Sequence, residues 1–150
     1  MSAEASVIFP ENHPQAFNIV GERITLLLTR NTTHGYEIFL QEGPEGSGPP
    51  PHKHDWDESF YVIRGEIEFG YNDEQMTARP GTLVHLPGGT VHWFRFNEGG
   101  GRMISITGQG SDASQFFTDL GTEIPSAAPD MEKLLHIAGH HGVDFIVDSR

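Results

Sequence analysis

The chain has 150 residues, 36% of them hydrophobic and 10% aromatic, enough for one compact domain with a real core. It has no cysteine, which excludes disulfides and thiolate metal sites and leaves imidazole, carboxylate or water to bind any metal. A net charge of −12, with no basic stripe, excludes a nucleic-acid partner and docking on an anionic membrane.

The first residues, Met1-Ser2-Ala3-Glu4-Ala5-Ser6, lack the charged and apolar regions of a signal peptide. No apolar run approaches the roughly 18–20 residues of a membrane span, so a cytoplasmic location is expected. Candidate strands follow at 24–29, 36–41, 59–63, 66–71, 75–78, 82–86, 91–96 and 102–107. Each is rich in Val, Ile, Phe, Tyr and Thr and bounded by Gly, Pro, Asn or Asp. Tyr71-Asn72-Asp73-Glu74 reads as a hairpin turn, because Asn and Asp tolerate turn dihedrals. Short strands at regular spacing with little helix between them predict a β-sandwich or barrel over about residues 20–110.

The tail, about 111–150, changes character but is expected to belong to the same single domain. Ser111-Asp112 can cap a helix over 113–120 that Gly121 ends. A loop over 122–128 is closed by Pro129, and Asp130 then caps a helix over 131–140 that stops at Gly142. Met131, Leu134, Leu135 and Ala138 fall on one apolar face at i, i+3, i+4 and i+7. These helices are expected to cover the barrel or a dimer contact.

The densest chemistry follows the Gly/Pro-rich stretch 41–51 (QEGPEGSGPPP). His52, His54 and Glu58 are spaced i, i+2, i+6, and residues of equal parity on an extended strand face one way. A regular strand through Asp55–Asp57 would converge all three on one divalent metal ion (Zn, Fe, Mn, Ni, Co or Cu). Pro49-Pro50-Pro51 stiffens the approach. His92 is the best fourth ligand, since it follows the tight turn Pro87-Gly88-Gly89 and opens an aromatic strand.

These residues resemble the two motifs of the cupin superfamily. The first, G-x5-H-x-H-x3,4-E-x6-G, reads Gly46-SGPPP-His52-Lys53-His54-DWD-Glu58-SFYVIR-Gly65. The second, G-x5-P-x-G-x2-H-x3-N, reads Gly81-TLVHL-Pro87-Gly88-Gly89-TV-His92, and then departs: its Asn would fall on Phe96, whereas this sequence has Asn97. Together they span 46–97, about a third of the chain. The resemblance implies an all-β, single-domain cupin fold (a double-stranded β-helix, or jelly-roll barrel) with short C-terminal helices. It also implies His52, His54, Glu58 and His92 as ligands of one metal, and a homodimer.

Other residues admit two readings. His85 could point inward as a proton carrier or extra ligand, or pack between strands. Glu58 could ligate the metal or be freed to move a proton. Phe60, Val62, Phe94 and Phe96 share parity with the ligands and Trp93 adjoins His92, so they fill the barrel, line a substrate pocket, or both. His136 and His140 have helical i, i+4 spacing but no third ligand in view, His13 and His141 have no companions, and His34 sits beside Gly35 in a turn-like stretch at the surface.

The stretch 50–62 resembles small bacterial quercetin-dioxygenase-like cupins. That implies an oxygenase acting on a small enolisable or aromatic substrate, with a redox metal. A zinc-dependent polyketide cyclase or isomerase of secondary metabolism is the alternative, and a non-catalytic small-molecule-binding barrel the third.

Overall fold

Strict inside–outside alternation along short strands, broken by turns, builds two antiparallel sheets. The computed structural model describes residues 4–124 and 130–146. The strands are β1 (Phe17–Ile19), β2 (Glu22–Leu28), β3 (Glu37–Gly43), β4 (His52–Lys53), β5 (Glu58–Arg64), β6 (Ile67–Tyr71), β7 (Glu74–Ala78), β8 (Leu83–Leu86), β9 (His92–Phe96), β10 (Gly101–Thr107) and β11 (Asp144–Phe145). The helices are α1 (Arg30–Thr33), α2 (Ala113–Glu123) and α3 (Met131–His140). One sheet runs β1-β2-β3-β10-β5-β8 and the other β11-β4-β9-β6-β7. All eight predicted strands are present, and the jelly roll expected from the motifs is the observed fold. The hairpin at Asn72 forms as expected, with φ of 51° at Asn72 and Tyr71 paired to Glu74.

Two apolar clusters divide the interior. Phe60, Val62, Ile67, Phe69, Phe94, Phe96 and Met103 fill one end of the barrel. The other end is not filled by strands alone. Ile19, Ile24, Phe39 and Trp56 meet Phe116, Leu120, Leu134 and Val143 from the tail there. The tail also carries a strand that its helical pattern hid, since Asp144 and Phe145 pair with Lys53 and His52. No described helix is long and apolar enough to cross a membrane.

The helices differ from expectation in three places. Gly121 does not end α2, which runs on to Glu123. A Cβ at Gly121 would meet Phe17 at 2.4 Å, so this glycine permits close packing and is not a stop signal. Asp112 makes no side-chain cap; Ser114 N donates to Glu37 Oε1 (3.0 Å), and Ala113 N to Ser111 Oγ (3.1 Å). Asp130 does cap α3, accepting from Lys133 N. The buried face of α3 is Leu134, Ile137 and Ala138, whereas Met131 and Leu135 are exposed. That stripe continues at i+7 to His141, which anchors the rotation. Of the expected 122–128 loop, residues 125–129 lie outside the described residues.

His141 has companions that sequence spacing did not reveal. Its ring lies between Asp112 (Nδ1 to Oδ2, 2.5 Å) and Asp119 (Nε2 to Oδ2, 2.6 Å), and Asp112 also pairs with Arg30 at 2.7 Å. Desolvation would lower its pKa, but the hydrogen bonds and charges of the two carboxylates outweigh it and hold the imidazole above its ordinary value. The clasp therefore stabilises the fold fully below about pH 6.5, and the contribution fades as pH rises through the folded-state value. His141→Ala should lower unfolding free energy by about 2 kcal/mol at pH 6. In denaturant titrations the gap from wild type should narrow toward pH 9; a constant gap would contradict the charged clasp.

Candidate metal centre

His52 and His92 are directly paired across β4 and β9, with ring centroids 4.3 Å apart. His54 follows β4, and one ring nitrogen of each histidine lies within 4.8 Å of the others. Each ring is held the same way. Nδ1 of His52 donates to Pro50 O (2.8 Å), that of His54 to Trp56 O (3.0 Å) and that of His92 to Thr90 O (2.9 Å). A carbonyl only accepts, so each Nδ1 carries a proton, and a neutral ring presents its Nε2 lone pair. His92 Nε2 is sealed from solvent with no hydrogen-bond partner. Leaving such an atom unpaired costs about 1–3 kcal/mol, and three convergent imidazoles beside a carboxylate are a donor set that fits a first-row divalent ion.

Glu58 reaches this cluster from the opposite sheet. Its Oε1 lies 3.1 Å from His54 Nε2 and its Oε2 lies 3.9 Å from His92 Nε2. Residues 52–58 are not one regular strand, as equal parity supposed: β4 ends at Lys53, the chain bends over, and β5 begins at Glu58 in the other sheet. The turn of the second motif holds that crossover. Gly89 N donates to His54 O (2.8 Å) and Gly88 N to Asp57 Oδ1 (2.8 Å). A Cβ on Gly88 would lie 2.1 Å from Asp55 O, so only glycine lets the two segments touch. The displaced Asn is absorbed after β9: Phe96 is fully buried in the filled end, and Asn97 N donates to Glu66 O.

Burial disfavours the charged form of His52, and the neighbouring His92 adds to the effect, bringing it down to about 4. The ring is neutral and able to ligate at physiological pH. Burial pushes Glu58 up, but once the rings are protonated the hydrogen bond from His54 Nε2 and the charges of His92, His54 and His52 outweigh it and bring it to about 2, so the carboxylate is ionised at neutral pH.

Beside the cluster lies a cavity of about 210 Å³. Its walls are Ile19, Ile24, Phe39, Trp56, Phe116, Phe117, Leu120, Leu134, Val143 and Phe145, with Phe94 reaching it from the filled end. The pocket is therefore not where parity on β5 and β9 placed it. Phe60, Val62 and Phe96 are packing residues of the filled end, and do not line the cavity. Trp93 faces out, against Gly70 and under the Arg95 guanidinium (5.6 Å). His85 is on the exposed face of β8, hydrogen-bonded to Ser59 (2.8 Å), so it does not serve this site as a proton carrier or ligand. Its neighbours Val84 and Leu86 take the inward positions. His136 and His140 are exposed, and no third ligand joins them among the described residues.

Residues 39–107 match the family model of the cupin domain. The chain contains a cupin domain. Over 93 residues this cupin is 28% identical to quercetin 2,3-dioxygenase of Bacillus subtilis (strain 168), which covers 61% of the chain but only 27% of that protein. The fold is shared with KdgF from Halomonas sp. (TM-score 0.64, 20% identity, 73% of this chain and 99% of that one). It is also shared with the polyketide cyclase RemF from Streptomyces resistomycificus (TM-score 0.60, 17% identity, 70% and 80%). At these identities the likeness of the structures concerns the fold.

Four polar residues of this cupin's cavity escaped the sequence reading: Glu22, Gln41, Ser105 and Thr107. Each occupies an inward position of its strand, beside Ile24, Phe39 or Met103, and that parity was the available signal. Burial raises Glu22 to about 8 against the Gln41 hydrogen bond, with the charge of Glu58 adding to the rise. Burial wins because one hydrogen bond is worth about 1 kcal/mol, whereas desolvating a carboxylate costs several.

Two substitutions test the centre. His92→Ala should abolish most bound metal, read by elemental analysis of purified protein. Gly88→Ala, which touches no ligand, should weaken metal affinity about 10–100-fold by moving the crossover; wild-type affinity would show that the turn does not position the ligands.

Proposed function

We propose that this cupin is a metal-dependent enzyme that oxygenates a small, uncharged, enolisable aromatic substrate. One observation carries the reading: the histidine–carboxylate cluster opens on a cavity whose described lining is mostly apolar and aromatic and includes no lysine or arginine. Such walls reward a planar ring system and offer no side-chain cation to a carboxylate or phosphate. At about 210 Å³ the cavity is smaller than the roughly 300–1,000 Å³ usual for drug-sized ligands, which favours one or two fused rings. The sequence relationship to quercetin 2,3-dioxygenase supports the same substrate chemistry.

His52, His54, Glu58 and His92 would hold the ion, which when bound supplies a Lewis acid for a substrate oxygen and, if redox-active, a route to dioxygen. The chain's own residues then orient and desolvate. Phe39, Phe116 and Phe117 sandwich the ring, Leu120 and Leu134 exclude water, and ionised Glu58 accepts the proton of the substrate hydroxyl at its carboxylate oxygens. A zinc-dependent, non-redox cyclase or isomerase is the second reading. Glu22 favours it, since an acid that is neutral near pH 7 can exchange protons without a redox partner.

Oxygen-electrode assays with 3-hydroxychromone, a two-ring enol, on protein reconstituted separately with iron, manganese, nickel, cobalt, copper and zinc, separate the two. Oxygen uptake with at least one redox metal and none with zinc is expected. Substrate turnover by the zinc form without oxygen uptake would overturn the oxygenase reading in favour of the second. Leu120→Trp should raise KM about tenfold, equivalent to about 1.4 kcal/mol of lost binding, at unchanged metal content.

A further inference from the structure

The polar residues of the cavity are not scattered. Glu22 on β2, Gln41 on β3, Ser105 and Thr107 on β10, and Glu58 on β5 occupy four adjacent strands of one sheet. They form a seam from the far wall of the cavity to the metal cluster. Its hydrogen bonds run one way: the Ser105 hydroxyl donates to Gln41 Oε1, and Gln41 Nε2 donates to Glu22 Oε1 at 2.7 Å. Glu22 Oε1 is thereby committed as an acceptor, and Oε2 has no hydrogen-bond partner among the described residues. Thr107 Oγ1, paired in register with Glu58, is likewise buried and unpartnered among them. Among the described residues, no lysine or arginine lines the cavity to balance a second carboxylate there.

We propose that Glu22 is a specificity-determining residue that acts as a neutral acid, donating a hydrogen bond from Oε2 to a carbonyl oxygen of a planar aromatic ketone in the cavity. This rests on the reading of the cavity as an aromatic-substrate pocket. The direction of the seam sets where that proton sits: with Oε1 accepting from Gln41, the proton of a neutral carboxyl belongs on Oε2. The protonated form is the one burial favours near neutral pH, since Glu22 titrates at about 8. A ligand carbonyl complements this donor, whereas a carboxylate or phosphate would face two acids with no side-chain counter-charge.

Calorimetric titration of the zinc-loaded full chain with two bicyclic probes tests this. Chromone has a ketone oxygen that can only accept, and naphthalene has no oxygen. At pH 7, Glu22→Leu should weaken chromone binding about tenfold, and naphthalene binding by no more than about twofold. Glu22→Gln, which keeps an N–H donor, should hold chromone within about threefold of wild type. As pH rises from 7 to 9.5, wild-type affinity for chromone should fall about tenfold as the donor ionises, while Glu22→Gln stays flat. If Glu22→Leu does not fold, the pH profiles of wild type and Glu22→Gln decide alone. Parallel profiles, or equal effects of Glu22→Leu on both probes, would overturn the role of Glu22 and leave the aromatic pocket standing. Failure of wild type to bind either probe would overturn the pocket reading itself, and this inference with it.

Discussion

Between Lys53 and Glu58 the chain leaves one sheet and enters the other, and the candidate metal centre depends on how that crossing is held. The bend brings a carboxylate from β5 against imidazoles from the opposite sheet. Backbone atoms fix it: the amides of Gly88 and Gly89 donate into the bend, and the Trp56 carbonyl within it orients His54. Trp56 also stacks on the His54 ring, with centroids 4.4 Å apart and an interplanar angle of 7°. Ligand orientation is thus set by main-chain dipoles, which lose no rotamer entropy in doing so.

That crossover also separates the two ends of the barrel. On one side, large side chains from β5, β6, β9 and β10 close the interior completely. On the other, the strands stop short, and α2, α3 and β11 complete the wall. Their attachment is polar at its margins: Glu37 caps α2 from β3, and the Asp112–His141–Asp119 clasp ties α2 to the end of α3. A largely apolar wall is thus held in place by charged fasteners at its margins.

Most of the barrel was legible because strand, turn and ligand signals are local. Thr82–Leu86 could be read as a strand from its own residues, but whether His85 faced in or out depended on which neighbours, Val84 and Leu86, took the interior. The first motif's ligand spacing was legible too, although the equal-parity explanation was not the physical one; a sheet-to-sheet bend produces the same convergence. The clasp of His141 and the Gln41 hydrogen bond of Glu22 lay beyond local reach. Their partners are 22 to 29 and 19 residues away, and no pattern of period 2 or 3.6 reports such contacts. Phe60, Val62 and Phe96 were correctly read as interior, but interior is not the same as pocket.

The residues that match the family model, 39–107, contain every candidate metal ligand, whereas much of the cavity wall comes from Ile19, Glu22 and Ile24 before them and from Phe116, Leu120, Leu134 and Phe145 after them. Reactivity and selectivity are therefore written in separate parts of the chain. A substitution at Ile19, Leu120 or Leu134 changes the wall without replacing any candidate ligand. Kinship read from residues 39–107 alone therefore says little about what the flanks admit.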